Sequence, residues 1–391
     1  MTPSTPPLLA GLKILECSLL GGAAISTPLA DLGADVIKVE PPGGDYVRDM
    51  TWPLIDGVSL LHLHLNRGKR SIVLNLKDAA DVTTFLTLAS ASDVVIEAMR
   101  PGGLERRGLS YERLQQANPQ LVFCSFTGYG NTGPYRNLPS HGIAFDAWAA
   151  VFAPDRTDDG YPCIPEHLSV GMNAGALYGA LGILAGVLQA RATGKGCRLD
   201  IAQADAAAAM NWLRIETVKA YERPATEVTG NTADSSVRRP PGTAGMRDSV
   251  RYQIYDSRDG AVLFMASEQK FWRNFCQANT RMDLYATWPG AKYADHATGN
   301  SQLRHQLALI FKTRTTPEWI THSLEHDYPL APVNNITGLL QDPQFTQRLP
   351  WLDTETLGTP QLPSPIRSLH NETGHLPSKA PTIGQHSDEI R

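Results

Sequence analysis

Residues 12–127 alternate between short β-branched runs and helical stretches, and that alternation limits the fold more than any other feature of the chain. LKIL at 12–15 is a short apolar run, a Gly/Ala-rich stretch follows over 21–33, and DVIKVE at 35–40 then alternates and is β-branched. This reads as helix, then strand. SIVLNL at 71–76 predicts a strand, 78–91 a helix and DVVIEA at 93–98 a further strand. YERLQQANP at 111–119 predicts a helix closed by Asn-Pro, and LVFCSFTGYG a strand running into a turn. Strands and helices joined by short links imply an α/β fold whose parallel sheet is covered on both faces.

At 391 residues the chain exceeds one compact core, so two domains are expected. NAGALYGALGILAGVLQAR at 173–191 predicts a long apolar helix rich in small residues. At 223–250 the composition turns polar and rich in Pro, Gly, Ser and Thr, which reads as a long loop. VRYQIYDSRDGAVLFMAS then predicts a hairpin that turns at Asp259-Gly260. The expected layout is a large domain over 1–222, a smaller α+β domain with its linker over 223–330, and a Pro-rich return with short strands over 331–391.

A net charge of −4 supplies no field to draw the chain onto nucleic acid or an anionic membrane, so neither is expected as a partner. No apolar run reaches ~18 residues, so no membrane span is expected. The start, MTPSTPPLLAGLKILE, lacks a basic segment followed by an apolar one, and no signal peptide is expected. Cysteines 17, 124, 163, 197 and 276 are scattered, odd in number and form no CxxC, which fits a reducing cytoplasm.

Basic residues cluster in the first third: Arg48 after PPGGDYV, Arg67, Lys69 and Arg70 in NRGKRS, Lys77, then Arg100, Arg106 and Arg107 in MRPGGLERRG. Arg100 follows a predicted strand, and the crevice at the C-terminal ends of strands is where doubly wound sheets bind ligands. Arginine and lysine there suit phosphates; the same residues also fit a solvated surface. There is no G-x-G-x-x-G and no P-loop. His141, in the turn-rich PSHGIAFD, offers an imidazole suited to proton transfer or a structural contact. His62 and His64 alternate in LLHLHLN and would share a strand face; without a third ligand at useful spacing, no metal is expected. Glu166-His167 is the one acid–imidazole pair in the 160–172 loop, and also fits a solvated loop.

Taken together, LADLGADVIKVEPPGGDYVR, NRGKRSIVLNLK, DVVIEAMRPGGLERRGLSYERLQQANPQLVFCSFTGYGNTGPY, ALYGALGILAGVLQARATGKGCRLDIAQADA, APVNNITGLLQDPQF and IGQHSDEI resemble the class III CoA-transferases, in order, from about residue 9 to 391. That family includes formyl-CoA and carnitine CoA-transferases and the α-methylacyl-CoA racemases. The resemblance implies an interlocked homodimer, each chain with a Rossmann-like large domain built from both termini and a smaller middle domain. It implies transfer of coenzyme A between an acyl-CoA and a small carboxylic acid. It also implies CoA contacts at Arg48, Leu74, Lys77, Ala98, Met99, Arg100 and Arg106. Ala98 departs from the Asn usual in transferases.

In such transferases an Asp attacks the acyl-CoA carbonyl and splits transfer into easier steps. It stands ten residues before the Gly of the long helix, a count that reaches Met172 from Gly182; the racemase count of eleven reaches Gly171. No Asp lies between Gly160 and Lys195, and Glu166 is the only carboxylate there. His141, thirteen residues after Gly128, holds the position of the racemase base, although Gly142 replaces the acid that follows it. Three expectations result: a transferase with a displaced carboxylate, Glu166 being the candidate; a racemase-like isomerase or lyase with His141 as base; or a non-catalytic subunit paired with an Asp-bearing relative.

Overall fold

The computed structural model describes residues 5–50, 52–228, 246–293, 295–367 and 375–391. Most of the polar stretch read as a long loop, 229–245, therefore lies outside the described residues. The chain divides into two compact units, Met1–Asn211 with Leu349–Arg391, and Trp212–Arg348. Composition alone had put these boundaries near 222 and 330.

The first unit opens with β1 (Lys13–Cys17), α1 (Leu20–Asp31) and β2 (Asp35–Glu40). A short helix, Leu60–Leu65, precedes β3 (Lys69–Val73), α2 (Ala79–Ser90), β4 (Val94–Glu97), α3 (Tyr111–Ala117) and β5 (Val122–Thr127). Then come α4 (Gly142–Trp148), α5 (Val170–Thr193), β6 (Arg198–Ala202) and α6 (Gln203–Met210). The six strands run parallel in the order β6-β5-β4-β1-β2-β3. The order reverses between β1 and β4, as in a dinucleotide-binding sheet.

The central strands β1, β4 and β5 are buried on both faces, which fits their mostly apolar sequences. Ile14, Val94, Ile96 and Val122 pack on one face with Ile25 and Leu29 of α1 and Ile183 and Val187 of α5. Leu15, Val95 and Phe123 pack on the other with Ile72 and Phe85. Each such side chain contributes ~1.5–3 kcal/mol of transfer free energy. By length and composition α5 could cross a membrane, but half of it is buried. A Cβ at Gly179 would lie 2.8 Å from Ile25, and one at Gly186 would lie 3.0 Å from Val122. Its small residues thus allow α1 and the sheet to approach closely.

His62 and His64 do not share a strand face. They lie on the helix Leu60–Leu65, whose cap Ser59 accepts from His62 N at 3.2 Å. Burial pushes the His62 imidazole down to about 3 and that of His64 to about 4, so both are neutral core groups.

The second unit pairs β7 (Tyr252–Asp256) with β8 (Ala261–Met265), joined through the Asp259-Gly260 turn as expected. Its helices include α7 (Gln269–Ala278), α8 (Ser301–Phe311) and α9 (Thr316–His326); β9 (Leu330–Pro332) pairs antiparallel with β8. Phe264, Trp272, Phe275, Phe311 and Trp319 form its aromatic core. After β9 the Pro-rich stretch forms short helices, Ile336–Gln341, Pro343–Arg348 and Thr354–Leu357, in place of the short strands expected there. Among the described residues, the pairing there is a single bridge, Leu352 to Gln361.

Candidate functional site

At the reversal of strand order, Ala98 N donates to Cys17 O at 3.2 Å, and the chain beyond each strand diverges. Three cavities lie along the carboxyl ends of the strands here, all within the first unit. The one nearest α4, of about 390 Å³, is lined by residues including Ala98, Met99, Arg100, Arg136, His141 and Met172. Its neighbour, of about 240 Å³, shares Ala98 and Met99 and adds Leu74, Lys77 and Arg107. A third, more open depression of about 660 Å³ shares Lys77 and Arg107 and adds Arg106 and Arg113.

Each lining residue has a local cause. α1 crowds the reversal point because Gly22 is there: a Cβ would lie 2.5 Å from that of Ala98. Likewise a Cβ at Gly21 would lie 2.7 Å from the Phe126 ring. His141 is the extended residue that starts α4, and its carbonyl accepts from Ala144 N at 2.8 Å. Its imidazole makes no capping bond and stays available to the cavity. Tyr129 packs edge-on against Phe145 with centroids 5.2 Å apart, forming an aromatic wall beside it.

The charge gradient runs from basic to apolar to mixed. Among the described residues, Arg106, Arg107 and Arg113 donate to the carbonyls of Pro101, Gly103 and Gly108 at 2.9, 2.6 and 2.7 Å, not to carboxylates. Fixed guanidinium groups beside Lys77 suit phosphate oxygens. The middle cavity is walled by Val39, Leu74 and Met99, and the far one holds His141.

The family model for CoA-transferase family III matches residues 9–387. The chain belongs to this family. It is 28% identical to human succinyl-CoA:glutarate CoA-transferase, covering 98% of this chain and 85% of that protein. It is also 28% identical to the succinyl-CoA–L-malate CoA-transferase beta subunit of Chloroflexus aurantiacus, over 100% of this chain and 94% of that one. A solved CAIB/BAIF family protein from Brucella suis, 26% identical, superposes with a TM-score of 0.78 over 99% of both chains.

In this CoA-transferase family III chain the residues singled out by sequence fall into separate places. Leu74, Lys77, Ala98, Met99, Arg100 and His141 line the first two cavities, and Arg106 the third. Arg48 lines none of them. It is buried, with Nε and Nη2 on the Glu40 carboxylate at 3.0 and 2.7 Å and Nη1 on Pro381 O at 3.1 Å. There it clamps the C-terminal return to β2. Glu166 is exposed and lines none of these cavities, whereas Met172 lines the one that holds His141.

Sequence reading passed over Asp146 and Arg136. Asp146 is fully buried and accepts from Val170 N at 2.9 Å and Gly171 N at 2.6 Å, so it fastens the first turn of α5. The His167 imidazole lies 3.4 Å from the same carboxylate. The signal available was the Asp four residues into α4, which only the fold sets against α5. Arg136 directly follows the GYGNTGPY run that carries the resemblance.

Behind the site, Glu16 of β1 is fully buried between Lys38 and Lys69, at 3.2 and 2.8 Å. Burial alone would raise its carboxyl, but the two ammonium groups outweigh it and bring the group down to about 2. Burial lowers Lys69 to about 8 against the pull of Glu16. Among the described residues, no group of three or more His, Cys, Asp and Glu is placed to hold a metal.

Proposed function

We propose that this chain binds an acyl-CoA thioester along the three cavities and moves coenzyme A between it and a small carboxylic acid. The observation that carries this reading is the gradient itself: guanidinium groups for phosphates, an apolar middle for the pantetheine arm, and a His141 cavity for the acyl end. Relatives named for succinyl-CoA, glutarate and L-malate make those compounds the first probes. The five free cysteines fit a cytoplasmic setting. Leu177, Leu181 and Leu188 form an exposed apolar stripe on α5 that fits a second copy of the chain.

The test uses the chain purified alone. Succinyl-CoA is incubated with glutarate or L-malate, and exchange is read by mass spectrometry of the thioesters. Exchange is expected, and CoA affinity should fall in Arg106→Ala. Absence of both CoA binding and exchange overturns the reading; exchange only when an Asp-bearing relative is added makes the chain a binding subunit. His141 in the cavity favours a second reading, α-proton exchange on the acyl group. Deuterium uptake in heavy water that disappears in His141→Ala would identify it.

A further inference from the structure

The cavity at the acyl end is unusual for what it lacks. Among the described residues its lining includes Arg100, Arg136 and His141 but neither Asp nor Glu. The nearby acids are committed elsewhere: Asp146 to the amides of α5, Glu97 to Leu104 N at 2.8 Å, and Glu166 lies exposed outside the cavity lining. Among the described residues neither Arg100 nor Arg136 forms an ion pair with a carboxylate, in contrast to Arg48, Arg67 and Arg70. Gly171 leaves no room for an acid, since a Cβ there would lie 2.8 Å from Gln203 O and 3.1 Å from Asp146 Oδ1. A cavity with two guanidinium groups and no anion of its own is complementary to an anion brought by a ligand.

We infer that the acid substrate itself supplies the attacking carboxylate, held by Arg136 and Arg100 in place of a carboxylate on the protein. This rests on the transferase reading above and replaces its covalent intermediate. The acid R′COO⁻ attacks the carbonyl of RCO–SCoA. A C–O bond forms, the C–S bond breaks, and the products are the anhydride RCO–O–COR′ and the CoA thiolate. The thiolate then attacks the R′ carbonyl. A new C–S bond forms and the bond from that carbonyl to the bridging oxygen breaks, giving R′CO–SCoA and RCOO⁻. No proton, electron or further reactant is consumed. The bridging oxygen, which came from R′COO⁻, leaves in RCOO⁻. Both steps pass through oxyanions, which cationic donors in a confined site stabilise.

A single turnover separates this route from one through the protein. Enzyme in excess over succinyl-CoA is mixed with ¹⁸O-labelled glutarate, and in parallel with labelled L-malate. Released succinate and the digested protein are then weighed by mass spectrometry. The expected result is one ¹⁸O in the succinate of the first turnover and none in the protein. Label in a protein carboxyl, with unlabelled succinate, overturns the inference while leaving the transferase reading intact. No CoA transfer to either acid overturns both. Arg136→Gln, on an exposed loop, should raise the KM for the acid ~10-fold or more and leave that for succinyl-CoA within ~2-fold. An unchanged acid KM removes Arg136 from the site.

Discussion

The charges buried between β1, β2 and β3 and those around the His141 cavity are built from the same side chains but differ in their partners. In the first region each cation has an acid: Lys38 and Lys69 share Glu16, Lys38 also reaches Asp45, and Arg48 grips Glu40. In the second, among the described residues, Arg100 and Arg136 share their cavity with no carboxylate. Burying ions is costly unless they are paired, so the first set holds the sheet edge and its strand register. Arg100 and Arg136 are exposed instead. The difference shows why an arginine's position in a motif does not identify its role; its partner does.

The largest expected effect tests the first region. Glu16→Gln keeps the shape but leaves the buried Lys69 without its acid and Lys38 with Asp45 alone, and should cost ~3–5 kcal/mol in urea unfolding. A loss below ~1 kcal/mol would erase the contrast with the cavity. Acid sharpens the same point. Glu16 is held down from its ordinary 4.5 to about 2, so its contribution is complete above about 4.5 and is lost as pH falls through about 2. Linkage makes this on the order of 3 kcal/mol, and the wild-type midpoint in urea should drop between pH 5 and 2.5 far more than that of Glu16→Gln. The smallest effect belongs to the ligand side. Lys77→Ala should leave unfolding within ~0.5 kcal/mol and weaken coenzyme A binding ~10-fold at low salt, with the deficit shrinking as salt rises. A calorimetric titration that finds equal affinity would remove Lys77 from the phosphate path.

Much of the framework was legible in the sequence. The β-branched runs at 35–40 and 93–98 contain strands as read, over Asp35–Glu40 and Val94–Glu97. Ala98, Met99 and Arg100 were placed correctly at a strand's end, since the reversal point is a property of strand order. LLHLHL misled because six alternating residues satisfy a buried helix equally well once Ser59 caps it. Arg48 was out of reach for a different reason. Its partner Glu40 is set by the turn between them and by Pro381, a contact more than three hundred residues away in sequence. Arg136 and Asp146 needed the fold as well, because only folding decides which side chains a cavity gathers.

Neighbouring positions 171 and 172 at the start of α5 differ in the room they offer. Residue 171 is walled in by Gln203 and Asp146, while residue 172 opens toward the acyl end. An acid side chain introduced at 172 would therefore border that cavity, whereas one at 171 would collide with its neighbours.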